Sequence, residues 1–145
     1  MPYSCKKGDS FCLPDSNGQH RWVILTEPND NGDIVVVNFT DSQHVDSPVI
    51  FNPKDNPRIF SKRTGVNYAF ARTISADLLN NSTITNWEFC QLNHVNEIVK
   101  GAFQSQHTPI CILEELKEQY DERYHGNFTW DSQLGDSTTS TTNNT

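Results

Sequence analysis

The sequence predicts a mainly β fold with C-terminal helices, in which a small antiparallel β-barrel carries the helices as additions. Three observations predict this class: short runs of β-forming residues, turn sequences between those runs, and a helical spacing of apolar residues that begins only after the last run. The chain has 145 residues, of which 34% are hydrophobic, and this suits one compact domain. We expect that domain over residues 1–125 and a disordered, low-complexity tail over residues 126–145.

The predicted strands occupy the first half of the chain and are separated by turn chemistry. Residues Asp15–Gly18 and Asn29–Asp33 predict turns, and the second has Asn-Gly at its centre, which is typical of a hairpin. The prolines and asparagines of Asn52–Pro57 exclude a helix there and predict an exposed loop. The strands themselves are Gly8–Leu13, which ends at Pro14, and then Arg21–Thr26, Ile34–Thr40, Val49–Phe51 and Val66–Ile74.

Alternation of side chains assigns faces within the last predicted strand. It predicts that Val66, Tyr68, Phe70 and Arg72 share one face of the sheet. The large aromatic residues Trp22 and Tyr68 are more typical of a core than of a surface on which bases stack.

The apolar period changes after the strands. Ser75 and Asp77 can cap a short helical turn. From Leu92 to Phe103 the apolar residues have helical spacing, which predicts a helix packed against the sheet. Pro109 interrupts this pattern, and a second helix is predicted over Ile112–Tyr124.

The net charge of −7 is unevenly distributed along the chain. The segment Lys54–Arg72 holds five basic residues and one acidic residue, a charge of +4, whereas the chain from Glu114 onward holds seven acidic and two basic residues, a charge of −5. The low overall pI argues against nucleic-acid binding over the whole surface, but it is compatible with a local phosphate-binding patch. The candidate cations of that patch are Lys54, Arg58, Lys62 and Arg63.

The sequence pattern also argues against a membrane protein, a secreted protein and a metal or cofactor site. No stretch approaches the roughly 18–20 apolar residues that a membrane-spanning helix needs, so we expect no membrane association. No apolar run follows Lys6 and Lys7, which predicts no signal peptide and a cytoplasmic location. The four cysteines and five histidines are dispersed, without C-x-x-C or closely spaced histidine pairs, so we expect no metal site and no cofactor.

Charged and hydroxyl residues at predicted strand ends form the candidate site. Arg21 begins the second strand, Thr40 and Asp41 end the third, and Arg72 lies near the end of the last. The sequence carries no nucleophile elbow, phosphate loop, zinc-protease motif or dinucleotide-binding motif. Any chemistry therefore rests on these strand-end residues.

Five elements of the chain, in order over residues 8–105, form a recognisable pattern. Gly8-Asp9 opens the first strand, Arg21 begins an apolar strand, and the next apolar strand ends in Thr40. The segment Phe70–Ser75 has an Arg-Thr-Ile core, and Asn93–Val99 follows it in the predicted helix. In this order and approximate spacing the five elements resemble the MazF/PemK family of bacterial toxins, in which the last two correspond to the later strand and the C-terminal helix.

This resemblance implies an SH3-like antiparallel β-barrel, often dimeric, in the toxin component of a type II toxin–antitoxin pair. It also implies metal-independent cleavage of single-stranded RNA, with a small antitoxin protein as the second partner. For this chain, the resemblance implies that Arg21 is the cation that stabilises the charged phosphate. It also implies that Thr40 hydrogen-bonds the phosphate or the 2′-hydroxyl. Arg72 is the second cation or the acid, and the basic patch binds the RNA backbone.

The chain departs from the family pattern in ways that keep other hypotheses open. Trp22 stands where family members commonly have proline, and Ser75 stands where some have an aspartate, a candidate base. Asp41 or Asp77 could replace that aspartate. The second hypothesis is a non-catalytic barrel that binds RNA or protein, and the third is an interaction protein whose acidic tail mimics nucleic acid.

Overall fold

A computed structural model describes residues 4–15, 18–81, 84 and 86–120 of the chain. In this part of the chain, one antiparallel sheet of six strands curls into a half-barrel, and three α-helices accompany it. The strands are β1 (Asp9–Asp15), β2 (Gly18–Ile24), β3 (Asp33–Asp41), β4 (Ile50–Phe51), β5 (Thr64–Ser75) and β6 (Glu88–Phe89), and the helices are α1 (Ala76–Asn80), α2 (Leu92–Gln104) and α3 (Ile110–Tyr120). The predicted mainly β class is confirmed. None of these helices is long and apolar enough to cross a membrane.

The strands lie in the order β4-β5-β3-β2-β1-β6, and every neighbouring pair is antiparallel. The two edge strands, β4 and β6, have only two residues each. Short edges offer little unpaired backbone to other chains. The longest strand, β5, lies between β3 and β4 and forms one side of the region that contains the candidate site.

The connection between β2 and β3 forms as the sequence predicts. The side-chain Oδ1 of Asn29 accepts hydrogen bonds from the backbone N–H groups of Asn31, at 2.9 Å, and Asp33, at 3.0 Å. Gly32 has φ +80°, in the left-handed region that glycine enters without steric cost. Local Asn and Gly chemistry thus sets the turn that brings the two central strands into register.

The first strand runs further than predicted, through Pro14 to Asp15. Proline removes a backbone donor and is tolerated in a sheet mainly at edges. β6 pairs only with Asp9 and Ser10, so in the described sheet β1 has β2 as its single neighbour at Pro14. The predicted strand end at Pro14 is wrong because the proline lies where one side of β1 is unpaired.

The pairing of β5 with β3 has an irregular register, which the alternation of residues along β5 does not predict. On β3 the residues Val36 and Asn38 are two positions apart, whereas their partners on β5, Arg72 and Asn67, are five positions apart. Three extra residues on β5 are therefore accommodated as a bulge within the pairing.

The bulge moves side chains to the other face partway along β5. Tyr68 is buried in the core, with 2% exposure, whereas Phe70 is 50% exposed and Arg72 is also exposed. Ala71, rather than Phe70, packs into the same core cluster as Tyr68. The predicted shared face of Val66, Tyr68, Phe70 and Arg72 is therefore wrong.

Both faces of the sheet are covered, so the core consists of two clusters. One face buries Val23, Val35 and Val37 against apolar residues of α2 and α3. The other face buries Phe11, Trp22, Ile24, Ile34 and Val36 with Ala76 and Leu79 of α1. Trp22 and Tyr68 are buried in these clusters, which confirms their prediction as core residues.

Helix α2 matches the predicted helix and extends it by one residue. Gly101 lies so close to Tyr68 and Val49 that a Cβ atom at this position would overlap both. The Tyr68 hydroxyl donates a hydrogen bond to the carbonyl of Ile98 at 2.7 Å. Burial raises the pKa of Tyr68, so this hydroxyl stays protonated and continues to donate.

Helix α3 begins two residues before the predicted start and is held against the β2–β3 connection. The side chain of Gln119 exchanges two hydrogen bonds with the backbone of Glu27, at 3.1 and 2.7 Å. The hydroxyl of Tyr120 donates to the carbonyl of Leu25. The predicted continuation of this helix to Tyr124 and the predicted tail at 126–145 lie outside the described residues.

Candidate functional site

A cleft opens where β2 and β3 cease to pair. The two strands pair as far as Trp22 and Asn38. Beyond that point β2 continues beside β1, and β3 continues beside β5 to the Asp41–Thr64 pair. The gap between them, called here the β2–β3 cleft, has a volume of about 620 Å³, which is typical of a small-molecule site. Its charged and hydrogen-bonding lining includes His20, Arg21, Thr40, Asp41, His44 and Lys62.

Arg21 is the cation on the β2 side of the cleft, and its side chain is anchored at one nitrogen. Nη1 donates to Oγ of Ser10 at 3.1 Å and to the carbonyl of Asn86 at 3.4 Å. Nε and Nη2 donate to no residue that the structure describes, so three N–H groups of this guanidinium remain available. A guanidinium that is fixed on one side and open on the other suits bidentate binding of phosphate oxygens.

Lys62 and Asp41 form an ion pair on the β3 side, with 3.2 Å between Nζ and Oδ2. The hydrogen bond from the backbone N–H of Gln43 and the nearby Lys62 ammonium together hold the pKa of Asp41 below its usual value. Asp41 therefore stays ionised at neutral pH and is a weak base. With Arg21 included, the cations of the lining exceed its carboxylates by one.

A buried amide in the lining lacks a hydrogen-bond partner. Asn38 is 1% exposed, and its Oδ1 has no partner among the described residues. Leaving a buried acceptor unpaired costs about 1–3 kcal/mol. Asn67 lies directly opposite on β5, and the half-exposed ring of Phe70 adds an apolar surface to the same cleft.

Two histidines that the sequence analysis left without a role also line the cleft. His20 lies on β2 beside Arg21, and His44 ends the short 3-10 turn Ser42–His44, which Asp41 caps. The signal that could have found them is position, because each is within three residues of a predicted site residue. Imidazole is the side chain that most often transfers protons in catalysis.

The structure brings Arg21, Thr40 and Lys62 into one cleft but leaves Arg72 outside its lining. The guanidinium of Arg72 lies 5.1 Å from the ring centroid of Trp22. Its Nε donates to the carbonyl of Phe70 at 3.2 Å. The bulge in β5 sets this position, since it pairs Arg72 with Val36, beyond the Trp22–Asn38 pair at which the cleft begins.

The other predicted RNA-binding cations are dispersed. Arg58 pairs with Glu88, at 3.8 Å between Nη1 and Oε1. Lys54 is exposed in the 3-10 turn Pro53–Asp55, and Arg63 is exposed next to Lys62; neither lines the cleft.

The positions considered for a carboxylate base are also separated. Ser75 caps α1 by accepting the N–H of Asp77 at 3.2 Å. Ser75 pairs with Asp33, at the end of β5 opposite to Thr64, which lines the cleft. Of the three positions considered, only Asp41 therefore contributes to the cleft.

Comparisons with protein-family models, with curated proteins and with solved structures found no match to this chain. No group of three or more His, Cys, Asp or Glu side chains in the described ranges is placed to hold a metal ion. Function must accordingly be argued from the chemistry of the cleft itself.

Proposed function

We propose that this chain binds single-stranded RNA in the β2–β3 cleft and cleaves it, as the toxin of a toxin–antitoxin pair. The observation that carries the proposal is the convergence of Arg21, Lys62 and Thr40 with two imidazoles in one open cleft. Two cations attract a phosphodiester, and two imidazoles can serve as base and acid. The resemblance to MazF/PemK toxins supplies the reaction class and, for the half-barrel, the SH3-like assignment.

In the proposed reaction the ribose 2′-hydroxyl attacks the adjacent phosphorus. The bond from phosphorus to the 5′-oxygen of the next nucleotide breaks, which leaves a 2′,3′-cyclic phosphate and a 5′-hydroxyl. One of the imidazoles of His20 and His44 takes the proton of the 2′-hydroxyl, and the other gives a proton to the departing oxygen. Arg21 stabilises the negative charge that develops on the phosphorane oxygens, and Thr40 orients the phosphate.

Preference for single strands follows from the uncharged residues of the cleft. The half-exposed ring of Phe70 can stack on an unpaired base. The free Oδ1 of Asn38 can accept an N–H or O–H group from a base edge or from ribose. The stacking contact with Phe70 is closed to a base held inside a duplex, and it is this contact that favours single strands. A small antitoxin that covers the cleft and a second copy of the chain are the protein partners of this proposal.

A second function, RNA or protein binding without cleavage, is favoured by one observation. Asp41, the one carboxylate in the lining among the described residues, is ion-paired with Lys62 and has a lowered pKa. Such a carboxylate accepts a proton poorly, so it is a weak general base. The two functions therefore differ in whether the imidazoles perform the proton transfers.

An RNA oligonucleotide and a DNA oligonucleotide of the same sequence distinguish these functions. We expect the purified chain to cut the single-stranded RNA in the presence of EDTA, with cyclic-phosphate and 5′-hydroxyl ends, and to leave the DNA intact because it lacks the 2′-hydroxyl. Induced expression should arrest bacterial growth. RNA that is bound but uncut would support the binding function, and absence of both binding and cleavage would contradict both.

Asp41→Asn is expected to strengthen binding of single-stranded RNA by roughly three- to fivefold at low salt. The change removes a negative charge beside Lys62, while the asparagine Oδ1 can still accept the N–H of Gln43. Fluorescence anisotropy with a labelled oligonucleotide measures the effect, which should shrink at high salt. Asp30→Asn, on the exposed β2–β3 turn, is the matched control. Unchanged or weaker binding by Asp41→Asn would argue against RNA in this cleft.

A further inference from the structure

A second cleft lies between β4 and α2 and shares no lining residue with the first. Its volume is about 360 Å³, enough for a small molecule or one long side chain. One wall comes from β4 and the two residues before it. The other comes from Asn93, His94 and Glu97 of α2 and from Asp55 of the 3-10 turn. It is called here the β4–α2 cleft.

His94 brings an unsatisfied nitrogen to this cleft. The residue is only 9% exposed, and its Nδ1 has no hydrogen-bond partner among the described residues. The ring packs against Phe51, with 5.0 Å between ring centroids and 57° between planes. An aromatic ring therefore packs against the imidazole and offers Nδ1 no N–H or O–H donor. Buried polar atoms are normally paired, so this acceptor favours a hydrogen-bond donor at the cleft.

Two carboxylates line the same cleft. Glu97 lies three residues after His94 on α2 and forms no ion pair with any residue that the structure describes. One oxygen of Asp55, Oδ2, accepts the backbone N–H of Asn52 at 2.7 Å, and the other has no such bond. Lysine and arginine are absent from the described lining. The cleft therefore offers several acceptors and a negative charge.

We propose that the β4–α2 cleft binds an organic ammonium group, either of a free amine or of a lysine side chain. An ammonium carries three N–H donors and a positive charge, which match the Nδ1 of His94 and the carboxylates of Glu97 and Asp55. In this complex the neutral imidazole carries its proton on Nε2 and accepts at Nδ1. An anion would be repelled by the two carboxylates, and an apolar ligand would leave all three groups unpaired.

Titration of the full chain with butylammonium, followed by the ¹⁵N chemical shift of His94, tests this proposal. We expect a saturable shift of the Nδ1 resonance, because that nitrogen gains a hydrogen bond. Tetramethylammonium has the charge without the N–H groups and should produce no such shift. Spermidine and the Nα-acetyl methylamide of lysine then separate the two sources of the ammonium, since the tighter binder identifies the one that the cleft favours.

Glu97→Gln is the decisive variant, because Glu97 is exposed and its replacement leaves the core unchanged. We expect it to weaken butylammonium binding on the order of tenfold, through loss of a charge-assisted hydrogen bond. Glu118→Gln, exposed on α3, should leave the affinity unchanged. The proposal is overturned by absence of a saturable shift, by an equal response to tetramethylammonium, or by unchanged affinity in Glu97→Gln. Since no readout involves RNA, these outcomes are independent of the proposed cleavage.

Discussion

Replacing Phe60 with alanine is expected to lower the free energy of unfolding by about 3–5 kcal/mol. Phe60 is 1% exposed. Its ring stacks on Phe51, with 4.8 Å between centroids and 11° between planes, and meets Phe39 edge-on at 5.1 Å. Truncation removes both contacts and leaves a cavity in the core. Urea unfolding should show a lower midpoint with an unchanged m-value.

Two further substitutions make this stability prediction specific. Phe60→Leu keeps most of the buried volume and should cost only about 1–2 kcal/mol. Phe70→Ala removes a ring of the same size that is half exposed, so the loss should be about 0.5 kcal/mol or less. Similar losses for Phe60→Ala and Phe70→Ala would contradict the buried aromatic cluster. Phe60 also anchors its neighbours Ile59 and Ser61, which line the β2–β3 cleft.

The parts of the fold that depend on sequence neighbours were predictable. The central hairpin follows from the amide of Asn29 and the positive φ of Gly32, both inside the turn itself. The helix α2 follows from the helical spacing of apolar residues between Leu92 and Phe103. Ser75 caps α1 as predicted, because its hydroxyl needs only the N–H of Asp77. Each of these signals is local.

Features that depend on distant partners were not predictable from local pattern. Phe60 follows a loop rich in proline and asparagine, and its burial depends on Phe39 of β3 and Phe51 of β4. The bulge in β5 is set by how Asn67 and Arg72 pair with β3. Alternation within one strand carries no information about the register of its neighbour.

The candidate site likewise has residues that local sequence predicts and residues that it does not. Arg21 is predicted to begin its strand but lies in the middle of β2, whereas Thr40 lies near the end of β3 as predicted. A predictable turn joins the two strands and their pairing ends at Trp22 and Asn38, so the common cleft follows from the hairpin. The count of basic residues along the chain could not show which of them share a surface. Lys62 lines the cleft, whereas Arg58 pairs with Glu88. The unpaired Oδ1 of Asn38 is evident only from its three-dimensional surroundings, because its neighbours Val37 and Phe39 along β3 are apolar.

Replacing Arg21 with alanine is expected to slow RNA cleavage by a factor on the order of 10²–10³. In the proposed reaction the open N–H groups of its guanidinium bind the phosphate most strongly when negative charge develops on the phosphorane oxygens, so the loss should fall mainly on kcat. Lys62 remains in the cleft and should preserve part of the RNA affinity. Arg21→Lys keeps the charge but loses the bidentate geometry, and should recover only part of the rate. Single-turnover cleavage at saturating protein measures these effects, with thermal unfolding to confirm that each variant is folded.

Arg72→Ala is the matched comparison for Arg21→Ala, because the resemblance to MazF/PemK toxins and the structure give opposite expectations for it. The resemblance makes Arg72 a second cation or an acid, whereas the structure places its guanidinium over Trp22 and outside the cleft lining. We expect cleavage by Arg72→Ala to be nearly unchanged. Equal losses in the two variants would instead support a catalytic role for Arg72 and require it to reach the bound phosphate. Full cleavage by a folded Arg21→Ala variant would contradict the β2–β3 cleft as the site of the reaction.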